Sequence, residues 1–298
     1  TFQRWSQLAP DSAQAHYHYA NSLVGISKID QARKELALAI QLNPGYVRAR
    51  VGEIKLLVKA GELENARTAL ANLKSDFGDR FEVLGIEGWF ALGTGDNTTA
   101  EDSLTAALEM KPGREVMILL SMALRAQKKN DEAVSLLQKW LNEHPRDVAV
   151  MLKLADTYLA QNNDVQARAT YANVLELYPD QLEALNNLAW LSQDKDLQQA
   201  LDYARRAYEL LPTHPLVLDT YGMLLLKNGE ISRGTEMLQN AAERSPNDPT
   251  IQLHLGQTLI QQEKFAEAKG VLSALIETSP DTSSANEAKV LLESIPRR

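Results

Sequence analysis

The 298-residue chain contains no cysteine. Disulfides, thiolate metal sites and cysteine nucleophiles are therefore excluded within it, and the absence suits cytoplasm and periplasm alike. Aromatic residues make up only 6%, and glycine (15) and proline (11) are modest, whereas Leu and Ala abound. That composition favours helices over sheet. Basic residues are outnumbered, 31 Lys and Arg against 39 Asp and Glu, for a net charge of −8. The positive charges are scattered and form no stripe, so nucleic acid is not an expected partner. The longest apolar run, "VMILLSMAL" from Val116 to Leu124, is too short to span a bilayer. No signal-peptide pattern follows Thr1 and no initiator Met precedes it, so the natural start is expected upstream.

What the chain does have is a period. Pro10, Pro44, Pro112, Pro145, Pro179, Pro212, Pro246 and Pro280 recur at intervals of 34, 68, 33, 34, 33, 34 and 34 residues, with Gly78 in the skipped slot. Twelve residues before each of these positions from Pro44 on, and before Gly78, stands a small residue, among them Ala32, Ala66, Ala100, Ala167 and Gly234. A second column reads Ala20, Ile54, Gly88, Ser121, Ala155, Ala189, Gly222 and Gly256. Small residues let helix backbones approach closely. Each unit reads as an amphipathic helix, a turn rich in Gly, Asn or Asp, and a second amphipathic helix ended by the proline. A fixed period in this range marks stacked supersecondary units.

The pattern resembles the tetratricopeptide repeat family. Residues 148–181 match it with Met151, Leu154, Ala155, Tyr158, Ala167, Tyr171 and Pro179. Residues 215–248 match with Leu218, Tyr221, Gly222, Leu225, Leu238, Ala241 and Pro246. The resemblance implies an all-α, right-handed superhelical solenoid of about eight helix-turn-helix repeats with a C-terminal capping helix. The expected units are 13–46, 47–80, 81–113, 114–147, 148–181, 182–214, 215–248 and 249–281. Residues 1–12 (with Phe2, Trp5 and Pro10) are expected to be the second helix of a preceding repeat, so that Thr1 begins mid-repeat. Residues 282–298 are expected to form the cap, with Ser284 and Glu287 at capping-box spacing and Val290, Leu291 and Ile295 on its apolar face. The second unit is expected to pack more loosely, because Arg50 stands in the first large position and Ile54 in a small one.

The last third, with "ALNNLAWL", "HPLVLDTYGMLLLKNGE" and "QLHLGQTLIQQEKFAEAKGVL", resembles the TPR-repeat lipoproteins of exopolysaccharide and PEP-CTERM protein-sorting loci. That resemblance implies a periplasmic protein, with a lipid anchor upstream of Thr1; cytoplasmic residence is the alternative.

No catalytic, cofactor or metal constellation is legible. His16 and His18 are two apart and diverge by roughly 200° on a helix; His144, His214 and His254 read as structural or solvent-facing. "GTGDNTT", from Gly93, lacks the Gly-Lys-Ser/Thr ending of a phosphate loop and reads as a turn.

Function should then lie on the first helices, which the resemblance places along a concave groove. In "EALNNLAWLSQ", at roughly 100° per residue, Leu185, Leu188, Ala189 and Ser192 share the packing side. Asn186, Trp190 and Gln193 face away from it, with Asn187 beyond them. Applied along the chain, the same rule gives a lining of Tyr17, Asn21 and Val24; Arg48, Val51 and Lys55; Glu82, Gly85, Trp89 and Leu92; and Met122 and Arg125. In the second half it gives Leu152, Asp156 and Leu159; Asn186, Trp190 and Gln193; Asp219, Met223 and Leu226; and Leu253, Gln257 and Ile260. The polar, aromatic and Met members, apart from Glu82 and Gln193, are the candidate contacts to a protein or peptide partner. Tyr17, Asn21, Arg48 and Gly52 stand where some family members clamp a terminal carboxylate; Tyr17 and Gly52 break that pattern, so the clamp is not expected. Two other readings stay open: the repeat region of a larger enzyme, such as a glycosyltransferase or peptidase, and self-association through the first repeat.

Overall fold

The structure, a computed structural model, describes residues 2–296. Among them are eighteen helices and no strand. They form two compact units, which divide between Glu143 and His144. The first unit opens with α1 (Phe2–Leu8) and continues as four antiparallel pairs. These are α2 (Ala13–Gly25) with α3 (Ile29–Leu42), α4 (Val47–Lys59) with α5 (Leu63–Phe77), α6 (Phe81–Thr94) with α7 (Asn97–Met110), and α8 (Arg114–Ala126) with α9 (Asn130–Glu143). The second unit holds α10 (Val148–Ala160) with α11 (Asp164–Leu177), α12 (Leu182–Ser192) with α13 (Leu197–Leu210), α14 (Pro215–Lys227) with α15 (Ile231–Arg244), α16 (Pro249–Gln261) with α17 (Phe265–Thr278), and finally α18 (Ser283–Ser294). In the first unit α2, α4, α6 and α8 lie side by side; in the second α12, α14, α16 and α18 do. First helices thus share one face of each unit.

The turn inside each pair has a common construction. Lys28, Glu62, Asp96, Lys129, Asn163, Glu230 and Lys264 each donate their backbone N–H to the carbonyl five residues earlier. The residue just before each donor is left-handed: Ser27, Gly61, Gly95, Lys128, Asn162, Gly229 and Glu263. This is the Schellman ending, which satisfies carbonyls that a helix C-terminus leaves open. The α12–α13 turn is the exception: Lys195 and Asp196 both donate to Ser192 O, and no left-handed residue is used. The left-handed conformation costs a residue with a Cβ about 1–2 kcal/mol, of which glycine's looser unfolded chain returns up to about 1 kcal/mol. Lys128→Gly and Glu263→Gly are therefore each expected to stabilise the protein by about 0.5 kcal/mol. The check is a rise in the thermal midpoint that adds in the double variant and is smaller for Asn162→Gly, since asparagine tolerates this conformation.

The small-residue columns form the seams of the pairs. Ala32, Ala66, Ala100, Ala133, Ala167, Ala200 and Ala268 are all fully buried. At Gly88 a Cβ would stand 2.4 Å from Leu104 Cγ, and at Gly256 2.4 Å from Leu272 Cδ2. In the second pair Ile54 is fully buried in the corresponding position, and α4 lies less closely on α5 than α6 does on α7. Arg50 fills its large position by stacking on the Phe77 ring (5.3 Å) and pairing with Asp76 (2.5 Å).

The C-terminal helix differs in detail from its expected form. Its N-cap is Thr282, whose hydroxyl accepts from Ala285 N, not Ser284, which is buried. Val290 is 66% exposed; the packing face is Ala285, Ala288, Leu291, Leu292 and Ile295. At roughly 100° per residue, Val290 falls outside the arc that Ala288, Leu291, Leu292 and Ile295 present to the neighbouring helices.

Candidate partner-binding faces

In the first unit the face of first helices is indented. A cleft of about 360 Å³ lies across α2, α4 and α6, and Tyr17, Asn21, Val51, Lys55, Lys59 and Trp89 are on its wall. Gly52 belongs to its floor, where a Cβ would come within 3.1 Å of Leu36 and 3.5 Å of Tyr17. Tyr17 is held edge-on to Tyr46 at 5.4 Å. The Lys55 ammonium lies over the Trp89 ring at 5.8 Å, and Lys59 Nζ reaches Val24 O at 3.5 Å. Among the described residues, no carboxylate lines the cleft. A second cleft of about 290 Å³ shares Val58 and Trp89 and runs on to Leu92, Leu119 and Met122. Arg125, on α8, buries its Nε without a hydrogen-bond partner. Arg48 is exposed but lies on neither cleft wall. A hollow of about 740 Å³ elsewhere, beside α1, α2 and α3, contains none of the expected lining.

In the second unit polar side chains tie the first helices together. Trp190 on α12 is 43% exposed and stacks on His254 of α16 at 6.1 Å and 25°. His254 Nδ1 lies 2.9 and 3.0 Å from the two Asp219 oxygens on α14. Burial opposes charge on this imidazole, but the Asp219 hydrogen bond and charge outweigh it, so the His254 pKa is raised. Asp219 is therefore not the open contact expected of it: it is 6% exposed and committed to His254. Leu152 and Leu253 are likewise buried.

A second network lies between α10, α11 and α12. The fully buried Tyr171 donates its hydroxyl to Asp156 Oδ1 (2.7 Å) and accepts from Asn187 Nδ2 (2.8 Å). Lys153 Nζ sits 2.6 Å from Asp156 Oδ2. Burial, reinforced by Asp156, pushes the Tyr171 hydroxyl far above its usual range. Asn187 thus faces the helix-pair seam, not the partner side, and its burial is balanced by Tyr171. Asn186 stays on the outer stripe with its Oδ1 buried and without a donor. Met223 is half-buried, and Gln257 donates to Glu287 on α18 (2.7 Å).

Three residues of these faces escaped the sequence reading. Lys59 is one turn beyond Lys55. Glu183 opens α12 on the Trp190 stripe. His254, read as structural or solvent-facing, sits one turn before Gln257, and its partner Asp219 is 35 residues away in sequence.

Family models described as tetratricopeptide repeat match residues 87–148, 124–191 and 225–292, together more than half of the chain. The chain belongs to the tetratricopeptide repeat family. It is 21% identical over 240 residues to a TPR repeat-containing protein of Pseudomonas aeruginosa, PA4667, covering 78% of this chain and 35% of that one. It is 26% identical over 229 residues to the tetratricopeptide repeat-containing protein trd-1 of Caenorhabditis elegans, covering 71% and 27%. The chain therefore spans about a third of the length of the first of these curated relatives and about a quarter of the second. The fold is similar to that in the crystal structure of the APC/C hetero-tetramer Cut9-Hcn1, with TM-score 0.68, 15% identity and coverage of 97% and 56%. It is also similar to a tetratricopeptide repeat protein from Parabacteroides merdae, with TM-score 0.64, 14% identity and coverage of 83% and 98%. Family membership implies a scaffold for protein–protein interaction, in a fold that is typically non-catalytic. No helix among the described residues is long and apolar enough to cross a membrane.

Proposed function

We propose that the chain holds a peptide or helix of another protein against its first helices, as an exported assembly factor in bacterial polysaccharide secretion or surface-protein sorting. The observation that carries the binding reading is the cleft across α2, α4 and α6. Aromatic and aliphatic walls supply burial, while Asn21, Lys55 and Lys59 supply donors for a partner's carbonyl or carboxylate groups. Lys55 and Lys59 are one turn apart, a spacing at which like charges repel. In a chain of net charge −8 no carboxylate of the cleft relieves them, and an incoming acceptor would. The pathway rests on a different support, the resemblance of the "ALNNLAWL" and "HPLVLDTYGMLLLKNGE" segments to exported repeat lipoproteins.

Two experiments separate these levels. Photo-crosslinking from a benzoylphenylalanine at Asn21 is expected to trap a partner, and Trp89→Ala with Lys55→Ala to abolish the adduct while circular dichroism stays unchanged. Equal adduct yield in the double variant would sink the cleft assignment. For the pathway, the full-length protein in a Gram-negative host is expected to fractionate with the periplasm or its membranes and to take up labelled palmitate. Recovery from the cytosol without label would overturn export and leave the scaffold intact.

A further inference from the structure

We propose that the outer stripe of α12 seats an arginine side chain of the bound partner, its guanidinium lying on Trp190 and hydrogen-bonded to Glu183 and Asn186. The proposal rests on the partner-binding reading above and names what one part of the second unit would recognise. Glu183, Asn186 and Trp190 stand at spacings of three and four residues, which puts them in one row on the helix surface.

Glu183 and Asn186 offer acceptors and Trp190 a π-face, and the cations beside them among the described residues, Lys153 and His254, are each already bonded to a carboxylate. Glu183 is 42% exposed at its side chain, and its nearest cation, Lys153, is 3.8 Å away and committed to Asp156 at 2.6 Å. Burial and the Asp156 charge raise the Glu183 pKa against the lowering pull of Lys153. Asn186 Oδ1 is buried and accepts nothing, a costly state that an incoming N–H would relieve. The other acidic groups of the expected lining are already engaged, Asp219 by His254 and Asp156 by Lys153 and Tyr171.

The chain contains an internal precedent. Trp89 follows Gly88 as Trp190 follows Ala189, so the two tryptophans hold the same place in the repeat. Over Trp89 lies Lys55, which occupies that same place one repeat earlier. One repeat before Trp190 the place is held by Asp156. The second unit thus keeps the aromatic platform but holds an anion in the place of that lysine, and one side of the ring meets His254 instead. A guanidinium suits the row better than an ammonium, because it is flat, stacks on indole and donates in several directions in one plane.

The test uses the full chain and follows the Trp190 indole N–H, assigned by its loss in Trp190→Phe, during titration with N-acetyl tetra-arginine amide. The arginine peptide is expected to shift that signal saturably, tetra-lysine to bind more weakly and the neutral citrulline peptide not at all. Glu183→Gln is expected to weaken the arginine peptide about tenfold. Asp202→Asn, on the exposed side of α13, is expected to leave it unchanged. An unmoved Trp190 signal, equal binding of citrulline, or equal losses in Glu183→Gln and Asp202→Asn would overturn the proposal. Partner adducts that still depend on the Asn21 cleft would then show that the scaffold reading survives without it.

Discussion

Replacing His254 by alanine is expected to destabilise the second unit by about 3 kcal/mol, because it leaves the Asp219 carboxylate buried without its partner. Asp219 and His254 are 9% and 14% exposed at their side chains, so water cannot substitute. The same change removes the ring on which Trp190 stacks. Asp219→Asn is the milder variant, expected to cost about 1 kcal/mol, since an amide can still bond a neutral imidazole. It also separates charge from packing. The His254 pKa is raised in the folded protein, so the pair's contribution is fully present below the unfolded value of about 6.5. It fades as pH rises through the higher folded value. The stability gap between wild type and Asp219→Asn should therefore be widest at mildly acidic pH and narrow toward alkaline pH. Urea unfolding at several pH values measures it, and a gap independent of pH would mean that His254 is neutral and held by packing alone.

The repeat was legible because its determinants are local and periodic. A proline every 34 residues and small residues at fixed offsets report the packing of one helix pair, and the pair recurs. The lining was legible only in part, because a helix wheel gives a direction and says nothing of what meets the side chain there. The wheel set Asp219 on the expected lining, but His254, 35 residues on, covers it. It set Asn186 on the lining and Asn187 beyond it, but not what either amide would meet. One amide finds the Tyr171 hydroxyl on the partner helix and the other finds nothing. The cap was misread by two residues, since Thr282, Ser283 and Ser284 are all plausible N-caps and only backbone geometry selects Thr282. Lysines 55 and 59 fall one turn apart on α4, a spacing that puts both on the face lining the cleft.

Gly234→Ala is expected to cost about 2 kcal/mol and Gly234→Val about 3 kcal/mol or more, although alanine alone would favour a helix by about 1 kcal/mol. A Cβ at Gly234 would lie 2.8 Å from Gly222 O and 2.9 Å from Leu226 N, both backbone atoms of α14. A rotamer change cannot relieve such contacts; α14 and α15 must move apart along their whole seam. Gly270 on α17 supplies the comparison. A Cβ there meets nothing within 4 Å, so Gly270→Ala keeps only the propensity gain and should raise the thermal midpoint. The damage at Gly234 should also be felt at the face of the unit. α14 carries Asp219, so parting it from α15 shifts the carboxylate against His254 on α16, and the His254 titration in Gly234→Ala should move toward lower pH. A Gly234→Ala protein with wild-type stability and an unmoved His254 titration would mean that the small-residue column does not set the spacing of the pair. A stability loss with the titration unmoved would mean that the seam and the face respond independently.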